Sequence, residues 1–301
     1  MYEQPPEVAS SPSPGRVGAL FGALGVHPLD DAVTDAVEER PHLERALEPP
    51  GHLKDQRVDD EPVLQLLDVQ GRTMKIVITG ANRGIGLELA RQYLSRGDSV
   101  HAGVRAPAEA VELSALAGSS NGRLRITACD VTREPSVASF AAAVAEPVDL
   151  LINNAGMRTR PDSLEKPDLD NAARMLQVNA LGALRMTDAL LPLLRRSSGA
   201  KIVNLSSALG SLGNNTSGGA YGYRMSKAAL NMASRSLAAD LRDDGLVAVA
   251  ISPGWVQTDM GGSDAPTPVA ESAAGLIRVI DGLTLQDSGG FFDYRGERLS
   301  W

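Results

Sequence analysis

The chain has 301 residues, 43% of them hydrophobic and 22% charged, the balance of an ordinary globular protein with room for a sizeable core. Its net charge of −8 lies in the first 73 residues, which hold 14 acidic and 6 basic side chains and leave 23 of each for residues 74–301. A neutral remainder without a basic stripe argues against nucleic acid, the single cysteine excludes an internal disulfide, and no apolar run reaches the roughly 18 residues of a membrane span.

The leading 73 residues carry 9 of the 18 prolines and three of the four histidines. Nothing there is long enough to bury its own core, so a disordered extension is expected over residues 1–73. His27, His42 and His52 lack any ligand spacing, and no metal site is expected. The apolar stretch 17–26 follows an acidic leader without the basic start or cleavage site of a secretory signal, which reads as a cytoplasmic protein. Met74 stands directly before the first strand, where a compact domain would begin, and is expected to be the biological start, with residues 74–301 as a single domain.

From Met74 the pattern becomes regular. Residues 74–79 form an apolar strand run, Gly80 to Gly86 a glycine-rich turn of G-x-x-x-G-x-G spacing, and residues 87–96 a helical repeat. Glycine lets a backbone approach a pyrophosphate closely, and a helix amino end offers unpaired N–H groups to it. Further strands are predicted at 99–104, 123–129, 149–152, 201–205, 246–251 and 290–294, with helices at 135–145, 169–195, 223–243 and 267–280. Cys129 ends one apolar strand and reads as a small buried hydrophobe. Strands alternating with helices imply a parallel sheet covered on both faces, with ligands at the carboxyl ends of its strands.

Tyr223 and Lys227 form a Y-x-x-x-K pair. In a helix, residues four apart share a face, whereas Tyr221, six residues from Lys227, points elsewhere. An ammonium beside a phenol favours the phenolate, so a lowered Tyr223 pKa and general acid or base chemistry are expected.

Four motifs stand in order: 79–86, Asn153-Asn154-Ala155-Gly156, Ser207, and Tyr223 with Lys227. Together they resemble the short-chain dehydrogenase/reductase family over essentially all of residues 74–301. Residues 201–232 and 287–301 are similar to the group of C-factor-type and sniffer-type carbonyl reductases. The resemblance implies a Rossmann-type α/β fold, a doubly wound parallel sheet of seven strands with helices on both faces. It implies a tetrad of Asn179, Ser207, Tyr223 and Lys227, with Tyr223 as the proton donor or acceptor and Ser207, rather than Ser206, holding the substrate oxygen. Lys227 would bind the nicotinamide ribose and Asn179 a water in a proton relay. The cofactor would lie along Gly80, Asn82, Arg83, Gly84, Ile85 and Gly86, then Asp130 and Val131 at the adenine, Asn153, Ala155 and Gly156, and Pro253, Gly254, Val256 and Thr258 near the nicotinamide. No acidic residue ends the second strand, which reads Val104-Arg105, so Arg83 and Arg105 favour NADP(H) over NAD(H). A small carbonyl or alcohol substrate, a larger loop around 214–219, and a homo-oligomer built on helices 169–195 and 223–243 are also implied. The alternative in the same family is a nucleotide-binding signalling protein of C-factor type with little turnover.

Overall fold

Successive residues along each strand face opposite layers of helix, and this alternation builds two cores. In the computed structural model, which describes residues 73–159 and 163–301, the strands are β1 (Lys75–Thr79), β2 (Ser99–Val104), β3 (Leu124–Ala128), β4 (Leu150–Asn153), β5 (Lys201–Leu205), β6 (Val247–Ser252) and β7 (Phe291–Asp293). The helices are α1 (Gly84–Ser95), α2 (Val111–Gly118), α3 (Glu134–Val144), α4 (Leu169–Leu176), α5 (Gly182–Leu194), α6 (Tyr221–Asp240) and α7 (Val269–Gly282). Ile76, Ile78, Leu150, Ile152, Val203 and Val249 pack with Leu89, Tyr93, Leu113, Leu276 and Ile280 of α1, α2 and α7. Val77, Leu151, Ile202 and Ala248 pack with Phe140, Met186 and Leu190 of α3 and α5. Each fully buried Ile, Leu or Phe contributes about 1.5–3 kcal/mol, whereas an exposed ion pair such as Arg83–Asp259 contributes at most about 1 kcal/mol. The cores therefore hold the fold.

All seven strands are parallel, in the order β3-β2-β1-β4-β5-β6-β7. The order reverses between β1 and β4, so the connections leave those two strands in opposite directions and open a crevice at their carboxyl ends. This is the doubly wound Rossmann-type fold expected. The expectation of a disordered extension over residues 1–73 falls, apart from Thr73, outside the described residues.

Three details depart from the sequence pattern. The stretch 169–195 is interrupted: α4 passes through a π turn at Gln177–Leu181 before α5 resumes. A π turn inserts one residue into the hydrogen-bond register and rotates the side chains beyond it. Helix α6 starts at Tyr221, two residues before the predicted boundary, capped by Ala220 in the left-handed region (φ 48°). Helix α2 has no counterpart among the predicted helices; Leu113 is its one buried residue, so it carries no apolar stripe to read.

Close contacts fix α6. A side-chain carbon at Gly222 would fall 2.6 Å from Met175 Cε and 2.8 Å from Ala172 Cα, so α6 lies directly against α4. At Gly210 it would fall 2.8 Å from Lys227 Cβ. Trp301 closes the same region from behind: its ring stacks on Phe291 with centroids 5.3 Å apart, and its main-chain oxygen accepts from Gly213 N (2.8 Å) and Ser211 Oγ (3.3 Å).

Candidate active site

The turn after β1 is held by one asparagine. Asn154 Nδ2 donates to Thr79 O (2.7 Å) and Gly80 O (2.9 Å), while Thr79 Oγ1 accepts from the main-chain N–H groups of Asn154 and Ala155. Gly80 and Gly84 take φ of +66° and +55°, where a side chain is strained, and a Cβ at Gly86 would meet Asn154 Nδ2 at 2.4 Å and Gly80 O at 2.6 Å. Gly86 is thus required by packing inside the turn. No side chain caps the amino end of α1, so its first N–H groups remain available to an anion.

From this turn a cleft of about 1460 Å³ runs along the carboxyl edge of the sheet. Gly80, Asn82, Arg83, Gly84 and Ile85 line one end. Arg105, Asp130 and Val131, from the ends of β2 and β3, line the flank. Ala155, Gly156, Tyr223, Lys227, Pro253 and Thr258 line the remainder. Burial pushes the Asp130 carboxyl up, but hydrogen bonds from Thr132 and the charge of Arg105 outweigh it and hold the group below its usual value. Arg83 reaches Asp259 at 2.7 Å, with both side chains exposed. A glycine cradle, an uncapped helix start and a cleft of this length fit a dinucleotide.

Four expected residues face elsewhere. Asn153 is buried, its Nδ2 donating to Asn204 Oδ1 (2.9 Å), and Asn204 in turn donates to Ser234 Oγ; this network ties β4 to β5 and α6. Gly86 packs inside the turn. Val256 is buried. Gly254, at φ +85°, would place a Cβ 2.9 Å from the Tyr294 ring, so its role is to let the chain turn there.

Tyr223 and Lys227 line the cleft where it meets α6, and Ser207 and Asn179, which do not line it, sit beside them. Ser207 Oγ accepts from Leu209 N (3.2 Å) and lies near enough to the Tyr223 phenol to lower its pKa. Ser206 is engaged elsewhere, donating to Asn231 Oδ1 at 2.6 Å, so the geometry separates the two adjacent serines. Lys227 Nζ lies 5.9 Å from the Tyr223 ring centroid and donates to Leu205 O at 2.7 Å. Its burial lowers the ammonium to about 8. The Asn179 carboxamide, inside the π turn, accepts from Met157 N (2.7 Å) and donates to Met157 O and Ser226 Oγ (both 2.9 Å). A Cβ at Gly156 would sit 3.4 Å from Asn179 Oδ1 and 3.9 Å from Lys227 Nζ, so those two atoms border one small space.

The expected lowering of Tyr223 is reversed. Burial raises the phenol above its ordinary value, and the nearby Ser207 hydroxyl and the charge of Arg158 only partly offset it. Lys227 is itself desolvated and directs its ammonium at a carbonyl. Arg158, whose guanidinium carbon lies 5.3 Å from the Tyr223 ring centroid, has no role in the sequence motifs. Asn154 lies within the Asn-Asn-Ala-Gly motif, but its work on the turn follows from a pairing 75 residues apart that spacing does not reveal. Cys129 is buried, its thiol pushed up to about 12, as a structural cysteine should be.

A doubly wound sheet with a glycine turn at its switch point and a Ser-Tyr-Lys cluster at the far end of the cleft defines an oxidoreductase of the dinucleotide-binding class. The short chain dehydrogenase family model matches residues 74–268, and the chain belongs to that family. It is 54% identical to the C-signal of Myxococcus xanthus over 164 residues, 54% of this chain and 99% of that protein. The carbonyl reductase Sniffer of D. melanogaster superposes with a TM-score of 0.74 at 33% identity, covering 76% of this chain and all of that one. An NADPH-bound carbonyl reductase from chicken fatty liver superposes with a TM-score of 0.73 at 34% identity and the same coverage.

Proposed function

We propose that the protein is an NADP(H)-dependent reductase of small carbonyl compounds, running also in the direction of alcohol oxidation. The observation that carries this reading is the meeting of Tyr223 and Lys227 at one end of a cleft whose other end is the glycine turn, with Ser207 beside Tyr223. When bound, NADPH supplies the hydride that arrives at the carbonyl carbon. Tyr223 gives its phenolic proton to the carbonyl oxygen, and its raised pKa keeps that proton in place at neutral pH. Ser207 holds the same oxygen through its hydroxyl. Lys227 binds the nicotinamide ribose and returns a proton to Tyr223, and a water in the space bordered by Asn179 Oδ1 and Lys227 Nζ carries protons inward. Arg83, in the glycine turn, and Arg105, after β2, suit the extra phosphate of NADP(H).

NADPH oxidation with a panel of aldehydes and ketones tests this reading, alongside Tyr223→Phe. Turnover that survives the change to Phe would reject the role of Tyr223. The similarity to C-signal favours a second reading, a nucleotide-binding signalling protein: tight NADPH binding without turnover of any carbonyl is its expected signature. A homo-oligomer through α5 and α6 is also proposed, supported by exposed Leu184, Met225 and Met232, and light scattering of the eluted protein checks it.

A further inference from the structure

We propose that Arg158 is an anion-recognition residue of the substrate pocket, so that the preferred carbonyl substrates carry a carboxylate a few bonds from the reacting carbon. This rests on the assignment of Tyr223 as the site of proton transfer.

Position comes first. Arg158 follows Gly156, which borders Asn179 and Lys227, and its guanidinium carbon lies 5.3 Å from the Tyr223 ring centroid. The segment leading to it is not free to drift, because both main-chain polar atoms of Met157 are held by the buried Asn179 carboxamide. A guanidinium carried on an anchored backbone loses little freedom when it binds.

Pairing comes second. Among the described residues no carboxylate bonds to Arg158, whereas Arg83, Arg96, Arg195 and Arg298 each hold one. Arg224, the residue after Tyr223, is committed to Gly219 O and Ser217 Oγ. The carboxylates lining the cleft belong to other segments: Glu109, Glu112 and Asp130 follow β2 and β3, and Asp259 is paired with Arg83. The ring contact does not satisfy the cation. An exposed cation–π contact contributes about 0.5–1 kcal/mol, and a charge-assisted hydrogen bond about 1.5–3 kcal/mol. A carboxylate offered in the plane of the guanidinium therefore wins over the ring face, and two parallel N–H···O bonds fix its direction. The charge of Arg158 also bears on Tyr223, lowering its pKa against the effect of burial.

The test compares para-carboxybenzaldehyde with its methyl ester, which differs in charge with little change of shape. The ratio of their kcat/KM values with NADPH is measured in the wild type, Arg158→Lys, Arg158→Gln and Arg158→Glu. The ratio should favour the acid in the wild type, fall by about tenfold or more in Arg158→Gln, and fall further in Arg158→Glu, with Arg158→Lys between. An unchanged ratio in Arg158→Gln overturns the proposal. Calorimetric titration of the NADPH-loaded protein with para-(hydroxymethyl)benzoate separates this inference from the reductase reading. If no aldehyde is turned over, the reductase reading fails, while binding that weakens about tenfold in Arg158→Gln still supports anion recognition. Equal affinity in wild type and Arg158→Gln, or no binding by the wild type, overturns it.

Discussion

Asn179 and Met157, 22 residues apart, are joined as two strands would be: the carboxamide oxygen accepts from Met157 N at 2.7 Å and the carboxamide nitrogen donates to Met157 O at 2.9 Å. A third bond, to Ser226 Oγ at 2.9 Å, ties the same side chain to α6, three residues from Tyr223. One buried amide thus links the π turn, the loop after β4 and the helix that carries Tyr223 and Lys227. Its removal strands buried polar groups at about 1–3 kcal/mol each. Asn179→Ala should destabilise the protein by roughly 2–4 kcal/mol and lower its melting temperature by several degrees. Asn179→Asp, which sets a buried carboxylate oxygen against the Met157 carbonyl in place of a donor, should cost at least as much. A melting temperature unmoved in Asn179→Ala would remove the clamp from the account.

Lys227 makes stability depend on alkaline pH in a defined direction. The folded protein holds its ammonium at about 8, against 10.5 in an unfolded chain. Between those values the unfolded chain binds more protons, so the Lys227 contribution rises with pH through the window. Cys129, pushed up from 9.0 to about 12, opposes it above about pH 9 and cancels in the comparison with Lys227→Met. From about pH 8 to about pH 10 the gain is on the order of 2 kcal/mol. Tyr223, raised above its ordinary 10.0, acts in the opposite sense only above that pH. Lys227→Met should lack the rise, and denaturant midpoints across the window read it directly. The same variant should bind NADPH more weakly; unchanged affinity would end the proposed contact with the ribose.

Gly86 and Gly118 separate packing from backbone freedom. Gly86→Ala drives a methyl against Asn154 Nδ2 and Gly80 O and should weaken cofactor binding by more than about tenfold while lowering stability. Gly118 ends α2 without a positive φ, and a Cβ there would find nothing within 4 Å. Gly118→Ala should stabilise by about 0.5–1 kcal/mol. Thermal denaturation of the pair, with NADPH titration for the first, is sufficient.

Arg105 lies at the end of β2 where an NAD-binding protein places an acid. Arg105→Ala should raise the KM for NADPH by about tenfold with a smaller effect on NADH, and Arg105→Asp should move the preference towards NADH. Equal losses with both cofactors would assign Arg105 a general role rather than one at the extra phosphate.

The parts of the fold legible in sequence are those written locally. An apolar run followed by Gly80, Gly84 and Gly86 needs only neighbouring residues to be read as strand, turn and helix. Tyr223 and Lys227 need only helical spacing. What stayed hidden depends on contacts made across the chain. The π turn is legible only once Asn179 is seen to reach Met157. Asn153 and Asn154 are adjacent, yet one points into the sheet's far layer and the other into the glycine turn. The upward shift of Tyr223 follows from burial, which spacing does not encode. Arg158 sits in no motif at all, and its nearness to Tyr223 is set by the loop that Asn179 anchors.

The contact between the Trp301 main-chain oxygen and Ser211 and Gly213 pins the stretch of chain that separates Ser207 from Tyr223. Trp301 also stacks on Phe291 of β7, so the edge strand of the sheet and the spacing of Ser207 from Tyr223 answer to one residue.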